Sequence, residues 1–447
     1  MERMKKKVWR RRLAAWLIVS LCVGVCPAPA AATAAETETV AQEETKDIKQ
    51  SPEEVETGED TAWEDEEVVV EVDENGKDEW GNYFWTSTTQ ARFSFDARKL
   101  TKNKKGNYEV RVPDKVIKSG KEYTVTEYSV NNTWQMENDA AYEIYVGKSI
   151  DAITRANYRE TFHVHHDNKN YLSEKGSVFT KGKQILVSFD SSAYARDAVY
   201  EIPETVMALS DYAFHGAKIK EVVLNNKLKK IPSCCFSGAS IKRMDLKNVT
   251  KLETFAFSDC RYLKELKINC EGFIIGEGAL DGNTNLKNLY IPPNTEFSQY
   301  TNFENNELNA LIIDENVDVS NLKNTIFTGT NLETIVLPRN MQKIGGGMSI
   351  HDVPKLTKLY IPDSVEEIEP GALNAKGNLK IYAKRTSPAA DYDDDNVTFV
   401  SWDGHKHQLE EVTFFQYETW GVKGKYCREC AYAEEIKKVD FQTEEDR

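Results

Sequence analysis

A short apolar phrase returns along this chain at nearly constant spacing, and it leaves few folds open. It reads apolar-x-x-apolar-x-apolar. The copies are Ile219/Val222/Leu224, Ile241/Met244/Leu246, Leu263/Leu266/Ile268, Leu286/Leu289/Ile291, Leu308/Leu311/Ile313, Leu332/Ile335/Leu337 and Leu356/Leu359/Ile361. Their last residues are separated by 22, 22, 23, 22, 24 and 24 positions. A fixed period of this size predicts one supersecondary unit stacked on itself as a solenoid of parallel strands. A second signature follows each strand. Val206/Leu209 leads to Ala213-Phe214, Leu228/Ile231 to Cys235-Phe236, Val249/Leu252 to Ala256-Phe257 and Val365/Ile368 to Ala372-Leu373. Ala279-Leu280, Ile326-Phe327 and Ser349-Ile350 take the same slot. A small residue beside a large apolar one lets a turn pack closely against the next coil. Pro203, Pro292, Pro338 and Pro362 sit just after strands, where no ladder donor is needed. Units between Pro292 and Asn331 are the least regular, and a distortion or bulge is expected there.

The flanks read differently. Residues 1–35 carry a basic start (Arg3, Lys5, Lys6, Lys7, Arg10, Arg11, Arg12), an apolar stretch from Leu13 to Val25 and small residues from Ala28 to Ala35. That is the pattern of a signal peptide. Val25 before Cys26 fits a lipid-modification site poorly, so ordinary cleavage is expected. Acidic residues outnumber basic ones, 72 to 57. Removing the leader takes away seven basic residues and one acidic one, leaving 71 against 50. This balance disfavours nucleic acid as a partner. No later apolar run is long enough to span a bilayer as a helix, so the expected location is extracellular, secreted or at the cell surface. Residues 36–77 are rich in Glu, Thr and Asp and predict a disordered spacer. Residues 78–197 alternate apolar and polar positions, as in Ala91-Arg92-Phe93-Ser94-Phe95 and Tyr108-Glu109-Val110-Arg111-Val112. Period-two alternation predicts half-buried strands, here a degenerate cap on the repeats. The repeats occupy 198–383, and a small β tail occupies 384–447. The predicted fold is mainly β, with short turns and helical segments.

Ile361-Pro362-Asp363-Ser364-Val365-Glu366-Glu367-Ile368-Glu369-Pro370-Gly371-Ala372-Leu373 and Ala256-Phe257-Ser258-Asp259-Cys260-Arg261-Tyr262-Leu263 resemble the BspA-like leucine-rich repeats of bacterial surface proteins. Phe162 to Phe189 resembles the hairpin that often interrupts those arrays, and Tyr108 to Val125 resembles a degenerate opening unit. The resemblance covers about 100 to 383 and departs at Ser349-Ile350 and across 292–330. It implies an extracellular, non-enzymatic role in binding or adhesion, with no particular ligand.

If the three apolar positions of each phrase face inward, the intervening residues face outward. One outward column is Val223, Asp245, Lys267, Tyr290, Ile312, Val336 and Tyr360. Its neighbour is Glu221, Arg243, Glu265, Asn288, Ala310, Thr334 and Lys358. The first half predicts a charge ladder. The second half predicts an exposed strip, Tyr290, Ile312, Val336 and Tyr360, as a partner-binding patch, unless loops cover it.

Cys234, Cys235, Cys260 and Cys270 fit core positions of the repeats, where free cysteine acts as a small hydrophobe. The tail differs. His405 and His407 are joined to Cys427 and Cys430 by a strand-like segment, Val412 to Tyr417, and a Gly421-Val422-Lys423-Gly424 turn. A hairpin could gather these four around zinc. A local disulfide, a free pair or half of a shared site are the other readings. No other cofactor is implied. His163, His165 and His166, with Asp167, more simply read as a solvated hairpin. Gly-x-Ser-x-Gly, a phosphate-cradling glycine loop and His-Glu-x-x-His are missing, and Gly345-Gly346-Gly347 reads as a tight turn. The leading expectation is a non-catalytic secreted or surface protein binding an extracellular protein, cell or glycan. A structural envelope spacer and a carbohydrate-active enzyme are the alternatives.

Overall fold

A computed structural model describes residues 67–441 except 80, 97–99, 101, 104–105, 130–140, 155–159, 299–306, 318, 320–324, 329–330 and 346–347. The expected signal peptide, most of the spacer and two of the three consecutive glycines lie outside the described residues. The described end of the spacer is folded. Val69–Glu71 pairs in parallel with Lys115–Lys118, and Val72 is buried. Consecutive β-branched residues at Val68, Val69 and Val70 carry this strand within acidic surroundings.

Among the described residues there is no α-helix. The expected helical segments reduce to 3-10 turns at Ser191–Ala193 and Pro388–Asp391. None is long or apolar enough to cross a membrane. Everything else regular is strand.

Short parallel strands make up the main row. β1 (Tyr108–Arg111), β2 (Tyr142–Val146) and β3 (Glu160–Val164) form one sheet. The repeats then supply β4 (Val199–Glu201), β5 (Glu221–Val223), β6 (Arg243–Asp245), β7 (Glu265–Lys267), β8 (Asn288–Ile291), β9 (Ala310–Ile313), β10 (Thr334–Val336), β11 (Lys358–Tyr360) and β12 (Leu379–Ala383), and β13 (Val397–Ser401), from the expected tail, extends the row. Met244 lies beside Leu266, Leu289 beside Leu311, and Leu359 beside Ile381. Leu246, Ile268 and Ile291 are buried in one elongated core. The irregularity expected across 292–330 does not disturb this row: β8, β9 and β10 pair without a register shift. Ser349-Ile350 departs from the earlier turns because Met348–His351 is itself a strand, between Thr325–Thr328 and Leu373–Asn374.

The second signature explains the opposite side. Phe214, Phe236 and Phe257 stack with centroids 4.8 and 5.0 Å apart and ring planes 10° and 1° apart. Their N–H groups donate to carbonyls of the following coil, Cys235, Ala256 and Ala279, each at 2.8 Å. The turn reaches this arrangement through a left-handed residue at Tyr212, Cys234, Phe255 and Gly278. At the last of these a side chain would also collide, since a Cβ on Gly278 falls 2.2 Å from the Phe255 ring. Cys235 and Cys260 are buried, free thiols, and Cys234 and Cys270 are half-buried. The Cys260 thiol donates to the Phe236 carbonyl at 2.9 Å. Asn225 is buried and satisfied, its amide donating to the Pro203 and Val206 carbonyls of the preceding coil.

A second core fills the N-terminal region. The hairpin of Tyr171–Glu174 and Ser177–Thr180, with the following Ile185–Ser188, divides the two cores. Phe179 and Leu186 face the repeats, and Val178 and Val187 face the cap. Alternation of side chains along a strand makes this division possible.

After the last repeat strand the chain forms an antiparallel sheet of its own. Its strands are β14 (Leu409–Gln416), β15 (Trp420–Cys427) and β16 (Ala433–Asp440).

Candidate functional site

The C-terminal sheet decides the state of the outward columns. Tyr290, Ala310, Ile312 and Val336 form one buried cluster with Phe415, Trp420, Val422 and Ala433. Ile312 has no exposed surface, and Tyr360 is half-buried against Tyr432 and Trp402. The strip Tyr290, Ile312, Val336 and Tyr360 is therefore not an exposed partner-binding face. The chain's own tail occupies it, because these outward side chains and those of β14–β16 are both apolar and each removes the other from water.

Polar contacts rim the seam. Trp420 Nε1 donates to Glu265 Oε1, and the Tyr417 hydroxyl donates to the Lys264 carbonyl at 3.1 Å. Lys267 pairs with Asp440 at 2.9 Å and with Asp245 at 3.5 Å. Further along, Arg339 donates to the Ala433 carbonyl at 3.3 Å, and Lys358 donates to the Arg428 carbonyl at 2.6 Å. The predicted charge ladder is present beside the seam, with Arg243 on Glu221 at 2.7 Å. An apolar centre with a hydrogen-bonded rim is the anatomy of a stable interface.

β15 runs across the repeat strands. It starts at Trp420, beside β7, and ends at Cys427, which packs with Tyr382 of β12. Seven rises of about 3.4 Å along β15 span about 24 Å, and five inter-strand spacings of about 4.8 Å from β7 to β12 span the same.

At the far end of β15 the structure brings His405, His407, Cys427 and Cys430 together. One ligand atom from each lies within 4.8 Å of the others. His405 Nε2 is 3.5 Å from Cys427 Sγ, and His407 Nδ1 is 3.3 Å from Cys430 Sγ. Both thiols are free and buried. The local fold explains the convergence. The Cys427 N–H donates to the Tyr432 carbonyl at 2.8 Å and the Ala431 N–H to the Cys427 carbonyl at 2.9 Å, with Ala431 left-handed, so the turn from β15 to β16 places both thiols on one side. The histidines follow β13, where the His405 N–H donates to the Trp402 carbonyl at 2.8 Å. His407 stacks on Tyr432 with centroids 4.2 Å apart and planes 5° apart. Behind the group, His405 Nδ1 faces Glu429 at 3.6 Å.

The electrostatics are uneven. Burial alone would push the Cys427 thiol up, but hydrogen bonds from His405 and from the Cys430 and Glu429 N–H groups outweigh it and bring it down to about 7. Cys430 is pushed up to about 12, first by burial and then by Cys427, against the Tyr432 N–H. His407 is held below the ordinary imidazole value by burial and by His405. A thiol inclined to ionise, grouped with imidazole nitrogens, is the donor chemistry a soft divalent cation takes.

The other histidines are tied differently. His163 Nε2 lies 2.7 Å from Glu143, and its ring stacks on Tyr145 at 4.6 Å. The Arg111 guanidinium sits over the other side of this row, 5.6 Å from the Tyr145 centroid. His165, His166 and Asp167 do converge. There His165 Nδ1 accepts the Asp167 N–H at 2.9 Å and the two rings stack, which is the geometry of a closed turn.

The sequence model of the BspA type leucine-rich repeat region matches this chain in six copies, over residues 193–309 and 271–380. No curated protein is matched. Among solved structures, a leucine-rich repeat protein from Bacteroides ovatus ATCC 8483 is 16% identical with a TM-score of 0.34, covering 72% of this chain and 98% of that one. A leucine rich cell surface protein from Faecalibacterium prausnitzii A2-165 is 13% identical with a TM-score of 0.36, covering 72% and 94%. The pneumococcal vaccine antigen PcpA is 14% identical with a TM-score of 0.31, covering 71% and 95%.

Proposed function

We propose, with residues 193–380 being BspA-type leucine-rich repeats, that this chain is a secreted or cell-surface protein that binds an extracellular protein or glycan without catalysing a reaction. The basic start and apolar stretch of residues 1–35 support export. The observation that carries the binding role is the outward row on β1–β3. Arg111, Tyr145 and His163 stack on one another with Glu143 beside them, and all four remain half-buried, unlike Ile312. Inward, Tyr108, Val110, Tyr142, Ile144 and Phe162 are buried and hold the sheet. Tyrosine and arginine presented on a rigid sheet lose little freedom on contact and are enriched among residues that dominate binding energy.

The test is capture from arrays of purified extracellular matrix proteins and glycans by the chain from residue 36 onward. A ligand retained by this protein should be lost at least about tenfold by the Arg111→Ala/Tyr145→Ala double variant, a cost of about 1.4 kcal/mol, at an unchanged melting temperature. Equal retention by the variant, or no ligand at all, would leave a spacer as the better account. Conversion of a captured glycan would make the protein an enzyme.

A further inference from the structure

We propose that His405, His407, Cys427 and Cys430 bind one zinc ion, and that this ion clamps the C-terminal sheet onto the repeat row. The donor set is two imidazole nitrogens and two thiol sulfurs. A tetrahedron with Zn–S near 2.3 Å and Zn–N near 2.0–2.1 Å has ligand–ligand edges of about 3.3–3.8 Å. The two imidazole–thiol pairs stand at 3.5 and 3.3 Å. Two nitrogens and two sulfurs in this arrangement favour zinc over hard cations, which take oxygen. His405 offers Nε2 inward while its Nδ1 faces the Glu429 carboxylate. An imidazole bound through Nε2 carries its proton on Nδ1, and this carboxylate, 3.6 Å away, lies on that side. His407 is held in orientation by its stack on Tyr432.

The ligands come from two segments that must meet for the seam to form. Cys427 and Cys430 flank the β15–β16 turn, and the histidines lie between β13 and β14. Both thiols pack against Tyr382, with Tyr360, Trp402 and Tyr432 around them. An ion at this point ties the sheet at its β12 end, as Trp420 ties it at its β7 end. Metal binding that requires the docked arrangement contributes its free energy to docking.

The experiment uses the chain from residue 36 onward, purified with a thiol reductant and without chelator. Elemental analysis should find one zinc per chain, and cobalt exchanged into the site should give the visible bands of a tetrahedral thiolate complex. Cys427→Ser and His407→Ala should each remove the metal. Should these variants fail to fold, Glu429→Gln provides the second arm, since it keeps all four ligands and the Glu429 N–H that meets Cys427. It should weaken zinc about tenfold in competition with a chromophoric chelator. Chelation should also raise hydrogen exchange in β14–β16 and in β8–β10 beneath them. Metal-free protein that takes up neither zinc nor cobalt, or a Cys427–Cys430 disulfide in the reduced preparation, overturns the site. Zinc whose removal leaves exchange unchanged overturns the clamp.

Discussion

Truncating Trp420 to alanine should release the C-terminal sheet while leaving the repeats folded. Trp420 is 1% exposed. It packs edge-on to Phe415 at 5.6 Å and against Tyr417 at 5.2 Å, over the cluster containing Tyr290 and Ile312. Removing a buried tryptophan costs about 3–5 kcal/mol. Its indole N–H also serves Glu265, whose carboxylate would be left short of a donor. A total near 4 kcal/mol is about a thousandfold in the docking equilibrium. Hydrogen exchange read by mass spectrometry should therefore lose protection over β14–β16 and over β8–β10. The core coils around Phe236 should stay protected, because their spine is a separate cluster. Trp420→Phe keeps most of the ring contact and should show a much smaller effect. Unchanged protection in both segments of Trp420→Ala would refute the view that this side chain anchors the tail.

Phe236→Ala removes the middle ring of the stack between Phe214 and Phe257. It should cost about 3–5 kcal/mol in urea denaturation, and a shift under 1 kcal/mol would contradict the close packing of these coils. Glu265 should carry a pH signature. Burial raises its pKa, against the Trp420 N–H, Arg243 and Lys267. The folded chain then holds a proton that the unfolded chain has released, so this group's contribution to stability falls as pH rises from the unfolded to the folded value. Glu265→Gln should flatten that part of a pH series of urea midpoints, and an unaltered slope would count against the raised value.

The repeat row was legible because stacking repeats itself. Leu246, Ile268 and Ile291 recur at fixed spacing, and the Ala-Phe slot marks each turn, so a single chain supplies several copies of the same statement. The convergence of His405, His407, Cys427 and Cys430 was expected from a hairpin between the histidines and the thiols, but Gly421 to Gly424, read as its turn, lie inside β15, and the chain reverses between Gln416 and Trp420. The covered face was not legible. Trp420 meets Glu265 across 155 residues and Tyr417 meets Asn288 across 129, and no periodicity links such positions. One signal was present in both partners. Tyr290, Ile312 and Val336 were apolar where water was expected, and the tail carries Phe414, Phe415, Trp420 and Val422. Two apolar surfaces in one chain, each lacking a cover, are most simply each other's cover.

The crosswise strand β15 has an evolutionary consequence. Repeat arrays usually lengthen or shorten by whole coils, since each coil touches only its neighbours. Here an eight-residue strand is fixed at both ends, on β7 and on β12. Duplicating one coil between those strands would displace the far anchor by about 4.8 Å, more than the tail could absorb without a matching insertion of its own. The strand is a ruler, and between its two marks the number of coils can change only if the ruler changes with it.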